Sequence, residues 1–228
     1  MKRSILCALL IAGLVIGFSS PNAEAQELLL DYVGYDYEFP DPDTTVFGEL
    51  GSGYVGLGFV PVIFSPLVAD MVNNEYTYHL FGLTSGLVSV FGDFVVIDYS
   101  GPGTIRVYED ALLGGTAADY GINPPNAAAP ATFSDGTLIL EGTITTFQVI
   151  LNTVSNSGSY EAVFEATGGS QIGNIPVNQR EGWTFAGLTG NELNMPEGYE
   201  HQVDGQIFLN PPVAVESTTW GRIKRTFR

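Results

Sequence analysis

A single cysteine, Cys7, stands among 228 residues, and a lone thiol has no partner within the chain, so a disulfide framework is excluded. Cations are also scarce: 8 Lys plus Arg face 25 Asp plus Glu, a formal net charge of −17. A chain of that sign cannot neutralise phosphates, which excludes nucleic acid as a partner. Charged residues of both signs together make only 14% of the sequence, while 45% is hydrophobic and 12% aromatic, too apolar for a disordered polymer. Neither the G-x-S-x-G elbow of serine hydrolases nor the H-E-x-x-H spacing of zinc proteases occurs. Extended helical periodicity is missing as well.

The first 25 residues read as an address. Lys2 and Arg3 precede an apolar run from Ile5 to Phe18, and Ser19 to Asn22 break it. Ala23 and Ala25 supply the small residues of a cleavage site before Gln26, the order of a secretory signal peptide. The run is shorter than the roughly 20 residues that span a bilayer. Removal of residues 1–25 leaves a chain without cysteine and without a second long apolar run, so the mature chain is expected to carry no transmembrane segment. The expected location is outside the cytoplasm: periplasm, cell surface or extracellular space.

From Gln26 to Trp220 there are 24 acidic residues and two basic ones, Arg106 and Arg180. Such a body stays soluble and attracts divalent cations. No cofactor is required by any motif; calcium is the candidate ion, since extracellular calcium sites are built from carboxylates and backbone carbonyls.

Apolar residues recur at period two. Tyr76, Tyr78 and Leu80 alternate with Thr77, His79 and Phe81, and Tyr160, Ala162, Phe164 and Ala166 alternate with Glu161, Val163 and Glu165. Half-buried strands need this alternation, because successive side chains leave opposite faces of a sheet. Further strands are expected over 28–38, 54–64, 86–99, 104–108, 137–153, 183–188 and 203–209, with Asn156-Ser157-Gly158 as a hairpin turn. Helix signals are confined to 67–73 and a glycine-broken 109–120. Many strands without long helices predict an all-β fold: an antiparallel β-sandwich, jelly-roll-like, with a β-barrel as the alternative. The proline-bearing stretch 121–130 is expected to be a long crossover within one sandwich domain over 26–212.

Candidate chemistry falls in two clusters. Asp36, Glu38, Asp41 and Asp43 lie close enough to repel unless a cation or solvent relieves them, and form the candidate calcium site; Asp36 and Glu38 would share one strand face. The competing reading is a solvated edge that deters aggregation. Glu197, Glu200, His201 and Asp204 precede a strand and form the second candidate ligand site, with His201 and Asp204 as a metal or acid–base pair. Two histidines without a mature cysteine permit a three-ligand zinc site only with a carboxylate. The literal G-x-G-x-x-G at Gly51–Gly56 continues into strand-like, proline-limited sequence, so it is read as a glycine-rich strand rather than a dinucleotide loop. Tyr32, Tyr35, Tyr37, Tyr54, Tyr76 and Tyr78 crowd the first third; they either fill a core or offer a face to a sugar or protein.

The end of the chain reverses the charge. After Pro211-Pro212 and a linker, Trp220, Ile223 and Phe227 fall at i, i+3 and i+7, while Arg222, Lys224, Arg225 and Arg228 cover the remainder. This basic amphipathic tail, within 213–228, has three readings: an address for an export or attachment machine, a contact with an anionic membrane, or a segment that folds back on the acidic body. The sequence therefore predicts an exported surface or extracellular binding or structural module, calcium-stabilised or glycan-binding, with a surface component, glycan or protein as partner. The alternative is a secreted glycan-active hydrolase using a carboxylate pair.

Overall fold

The computed structural model describes residues 26–39, 47–121, 131–191 and 194–209. The leader, Asp41, Asp43 and the tail lie outside the described residues. The described chain is all-β, with strands β1 (Glu27–Glu38), β2 (Gly53–Ile63), β3 (Asn74–Phe91), β4 (Phe94–Ser100), β5 (Gly103–Ala111), β6 (Thr137–Asn152), β7 (Ser157–Gly168), β8 (Trp183–Gly190) and β9 (His201–Leu209). The two stretches with helical signals form the end of β5, turns and irregular backbone instead; glycines at 114 and 115 remove the propensity a helix needs.

Of the two all-β arrangements expected, the barrel is the one found. Every pairing is antiparallel, and β9 pairs with β1 to close the sheet. β4 and β5 lie end to end: both pair with β3 on one side and β6 on the other, with Gly101 and Pro102 interrupting what is otherwise one strand. The circuit is therefore eight strands around, with β4 as an additional piece. Strands follow one another around the barrel in sequence order. The connector through 121–130 thus joins neighbours, β5 and β6, and is not a crossover. Closure removes the open edges that a sandwich would leave.

The inner face follows the period-two pattern read from the sequence. Tyr32, Tyr54, Tyr76, Tyr78, Tyr99, Phe147, Tyr160, Phe164, Trp183 and Phe185 are all buried in one continuous core. Each ring hides roughly 150–250 Å², and eight strands enclose only enough space for side chains to fill. Glycines make room for the rings. A Cβ on Gly58 would lie 2.6 Å from the Tyr78 ring, so that position cannot carry a side chain without displacing the core. At the centre the hydroxyls of Tyr32 and Tyr160 are 2.6 Å apart, and the rings of Tyr32 and Phe185 stack at 4.6 Å.

A second aromatic cluster covers the outside of β1 and β2. Tyr35, Tyr37, Val55, Leu57 and Phe59 project outward and are roofed by Tyr120, Phe133, Met195 and Tyr199 from the connections between β5 and β6 and between β8 and β9. β1 is consequently buried on both faces, which accounts for its near-continuous run of large residues. The six tyrosines of the first third divide between the inner core and this outer cluster.

Candidate functional site

One end of the barrel, here called the rim, is where β1 finishes and β9 begins. The inward parity of β1 carries Asp36 and Glu38 to that end, and β9 opens with His201 facing inward beside Asp36. Asp36 and His201 are each about 1% exposed. The Asp36 Oδ1 accepts the His201 backbone N–H at 3.0 Å and lies 3.1 Å from His201 Nδ1. On the other side of the ring, Asn156 Oδ1 sits 3.3 Å from Nε2, and Phe47 packs edge-on at 4.5 Å between centroids. The imidazole is thus fixed in orientation by a carboxylate, an amide and an aromatic ring.

Glu38 is buried next to this pair. Its Oε1 accepts the Gly48 N–H at 2.8 Å and is approached by the Tyr99 hydroxyl at 3.4 Å. Burial, with the Glu38 and Asp36 charges nearby, raises the Tyr99 phenol well above its ordinary value, so it stays a proton donor. Burial and the Asp36 charge do the same to Tyr54.

Glu200 completes a cluster: donor atoms of Asp36, Glu200 and His201 all lie within 4.8 Å of one another. Two carboxylates and one imidazole are a donor set that can hold a first-row divalent ion. Calcium prefers six to eight oxygens, and the imidazole nitrogen counts against it.

The rim joins parts of both clusters expected from the sequence. Asp36 and Glu38 share the inner face, as their spacing implies. Glu200 and His201 meet Asp36, whereas Glu197 is exposed on its loop and Asp204 points outward from β9. His201 and Asp204, three apart on a strand, occupy opposite faces; the partner of His201 is instead Asp36, 165 positions away. Asn156 and Phe47 carried no chemical signal in the sequence; only closure of the barrel brings them to the imidazole.

Outside the rim, a groove of about 580 Å³ crosses the outer wall over β4, β6 and β7 and is lined by Asp98, Thr145, Gln148 and Glu161. Gln148 Nε2 donates to Asp98 Oδ1 at 2.7 Å. Tyr99 and Phe147 border the groove through their strands, but both rings are buried in the barrel interior. No family model, curated protein or solved structure matches this chain.

Proposed function

We propose that the protein is an exported surface or extracellular binding module that holds a divalent cation at the barrel rim. The observation that carries this reading is the convergence of Asp36, Glu200 and His201 within 4.8 Å. The barrel interior is filled by aromatic rings, so recognition falls to the rim and outer wall rather than to a central cavity. That outer wall carries Asp31, Glu141, Glu161, Glu165 and Asp204 at mid-strand, the reverse of the apolar-out, polar-in pattern of a membrane barrel. An ion bridging β1 to the start of β9 would fasten the closure seam. The mixed nitrogen and oxygen donors favour a zinc-class ion; calcium is the ion suggested by the carboxylate content of the whole chain.

Thermal unfolding in EDTA, in millimolar calcium and in equimolar zinc tests this. A rise in midpoint with either ion over EDTA is expected, and at an ion concentration 100-fold above Kd the gain is about 2.7 kcal/mol. The metal-dependent rise should vanish in His201→Ala. Equal midpoints in all three conditions would overturn the cation site.

The second reading, a glycan hydrolase, draws on one observation. Asp98 and Glu161 flank Gln148 on three adjacent strands in the outer groove, and two strand spacings place their backbones about 10 Å apart, at the wide end of the range for carboxylates that work through a water. The groove presents no aromatic platform, so the binding module remains the favoured reading. Turnover of a chromogenic glycoside panel that disappears in both Asp98→Asn and Glu161→Gln would reverse that preference.

A further inference from the structure

The rim carries a second feature beside the cation cluster. β3 pairs with β2 only as far as Thr84, so its last residues extend past the end of β2 and leave that edge open among the described residues, while β4 stays paired with β6. This hairpin is apolar on both faces: Leu87, Val90, Phe91 and Phe94 are each about half exposed or more. Beneath it lies a cavity of about 430 Å³ whose apolar wall is Phe47, Leu50, Val88, Val90, Val95 and Leu151. Glu49, Thr153 and Asn156 supply its polar part. Glu49 lines the cavity, and its Oε2 is buried without a hydrogen-bond partner among the described residues, a condition that costs roughly 1–3 kcal/mol or more for a charged group. An apolar cavity with an orphaned carboxylate oxygen calls for an occupant that is both greasy and cationic.

Cations on the described body cannot supply it. Arg106 pairs with Glu141 at 2.7 Å on the outer wall, and Arg180 donates to the Ile172 and Ile175 carbonyls near the opposite end. Apart from the leader, which the proposed export removes, the sequence holds one segment of the required chemistry: residues 217–228, with Trp220, Ile223 and Phe227 and four of the chain's eight basic residues. We propose that this segment docks in the rim cavity of its own chain, with an aromatic side chain under the β3–β4 hairpin and a basic group on Glu49.

The reach is sufficient. Following β9 back from Leu209 to His201 covers about 27 Å, and the chain from Leu209 to Trp220 extends to about 36–40 Å. Asn156 both lines the cavity and faces His201, so the cavity opens beside the start of β9. The charge pattern also selects this occupant. A body with 24 acidic and two basic residues repels another copy's body and an anionic bilayer, while the basic segment is attracted to it.

Paramagnetic relaxation measured on the full chain tests the docking, with a nitroxide on T226C and the leader thiol removed by C7S. Loss of the methyl signals of Val88, Val90 and Leu151, independent of protein concentration, is the expected result. Val90→Asp, at a highly exposed position, should restore the Val88 and Leu151 signals, and Glu49→Gln, which keeps shape, should restore all three, each leaving the rest of the spectrum in place. Three results would overturn the proposal: unchanged rim methyls, loss confined to another surface, or loss that depends on concentration and transfers to unlabelled copies in a mixed sample, which would make a second molecule the occupant.

Discussion

The Oδ1 atom of Asp36 receives two contacts from a single residue, the backbone N–H of His201 at 3.0 Å and its Nδ1 at 3.1 Å. These contacts sit at the seam where the last strand meets the first. They do double duty, orienting the imidazole and closing the barrel. Asp36→Ala should therefore lower stability by about 3 kcal/mol, the range for removing one partner of a buried, charge-assisted pair. Asp36→Asn, which keeps an acceptor for the backbone N–H, should cost less. Urea unfolding monitored by tyrosine and tryptophan fluorescence measures both; equal stability of Asp36→Ala and the parent would show that the seam does not depend on this pair.

The tyrosine interior makes a second, opposite pair of expectations. Tyr32 and Tyr160 satisfy each other's hydroxyls at 2.6 Å, whereas the buried Tyr78 hydroxyl has no hydrogen-bond partner among the described residues. Tyr32→Phe or Tyr160→Phe leaves one hydroxyl stranded and should cost about 1–3 kcal/mol. The double substitution should cost less than the sum, a coupling readable in a double-mutant cycle. Tyr78→Phe removes a stranded hydroxyl at constant shape and should raise stability by about 1 kcal/mol. Calorimetric midpoints that fall for Tyr78→Phe would show that its hydroxyl is engaged in solution.

His79 gives the fold a pH dependence on the acid side. It sits on the outer face of β3 between the Phe81 ring, 4.5 Å away, and Arg106 on the next strand. Burial, and secondarily the Arg106 charge, lower its pKa from 6.5 to about 4. The unfolded chain thus takes up a proton below about pH 6.5, while the folded chain resists until about pH 4. The stability that neutral His79 supports is complete above 6.5, declines as pH falls towards 4, and is level below that, a total of up to about 3 kcal/mol. His79→Gln should lose this component: the stability difference between parent and variant at pH 7 should shrink at pH 4.5. A difference that stays constant with pH would contradict the burial of the ring.

Alternation is a local property, and so the strands were legible. Tyr160, Ala162, Phe164 and Ala166 had to share a face whatever sheet they joined, and Asp36 and Glu38 had to share another. The turn at Asn156 was legible for the same reason: its φ of 49° suits a residue that tolerates left-handed backbone. A glycine inside an expected strand, as Gly92 is in 86–99, signals a bulge or bend; Gly92 is instead the tight turn between β3 and β4, with a φ of 64°. One glycine signal serves both structures, and only the register of the flanking strands separates them.

The candidate site shows where local reading stops. Each acidic cluster was visible, but as two separate groups, since Asp36 and His201 stand 165 positions apart. Their meeting depends on β9 pairing with β1, a closure that no window of sequence encodes. The same holds for the tyrosines: alternation separates Tyr32 from Tyr35 and Tyr37, but only the closed barrel makes one face the core and puts the other under loops.

The sequence by itself determined the strand content, which residues share a face, and the separation of an anionic body from a cationic end, because these follow from side-chain order and charge along the chain. Tertiary structure alone decided between sandwich and barrel, gave His201 its carboxylate, and left at the rim an apolar hairpin and a Glu49 oxygen unpaired among the described residues. Those outcomes depend on which distant strands pair and in what register, and register is fixed by the packing of the whole interior.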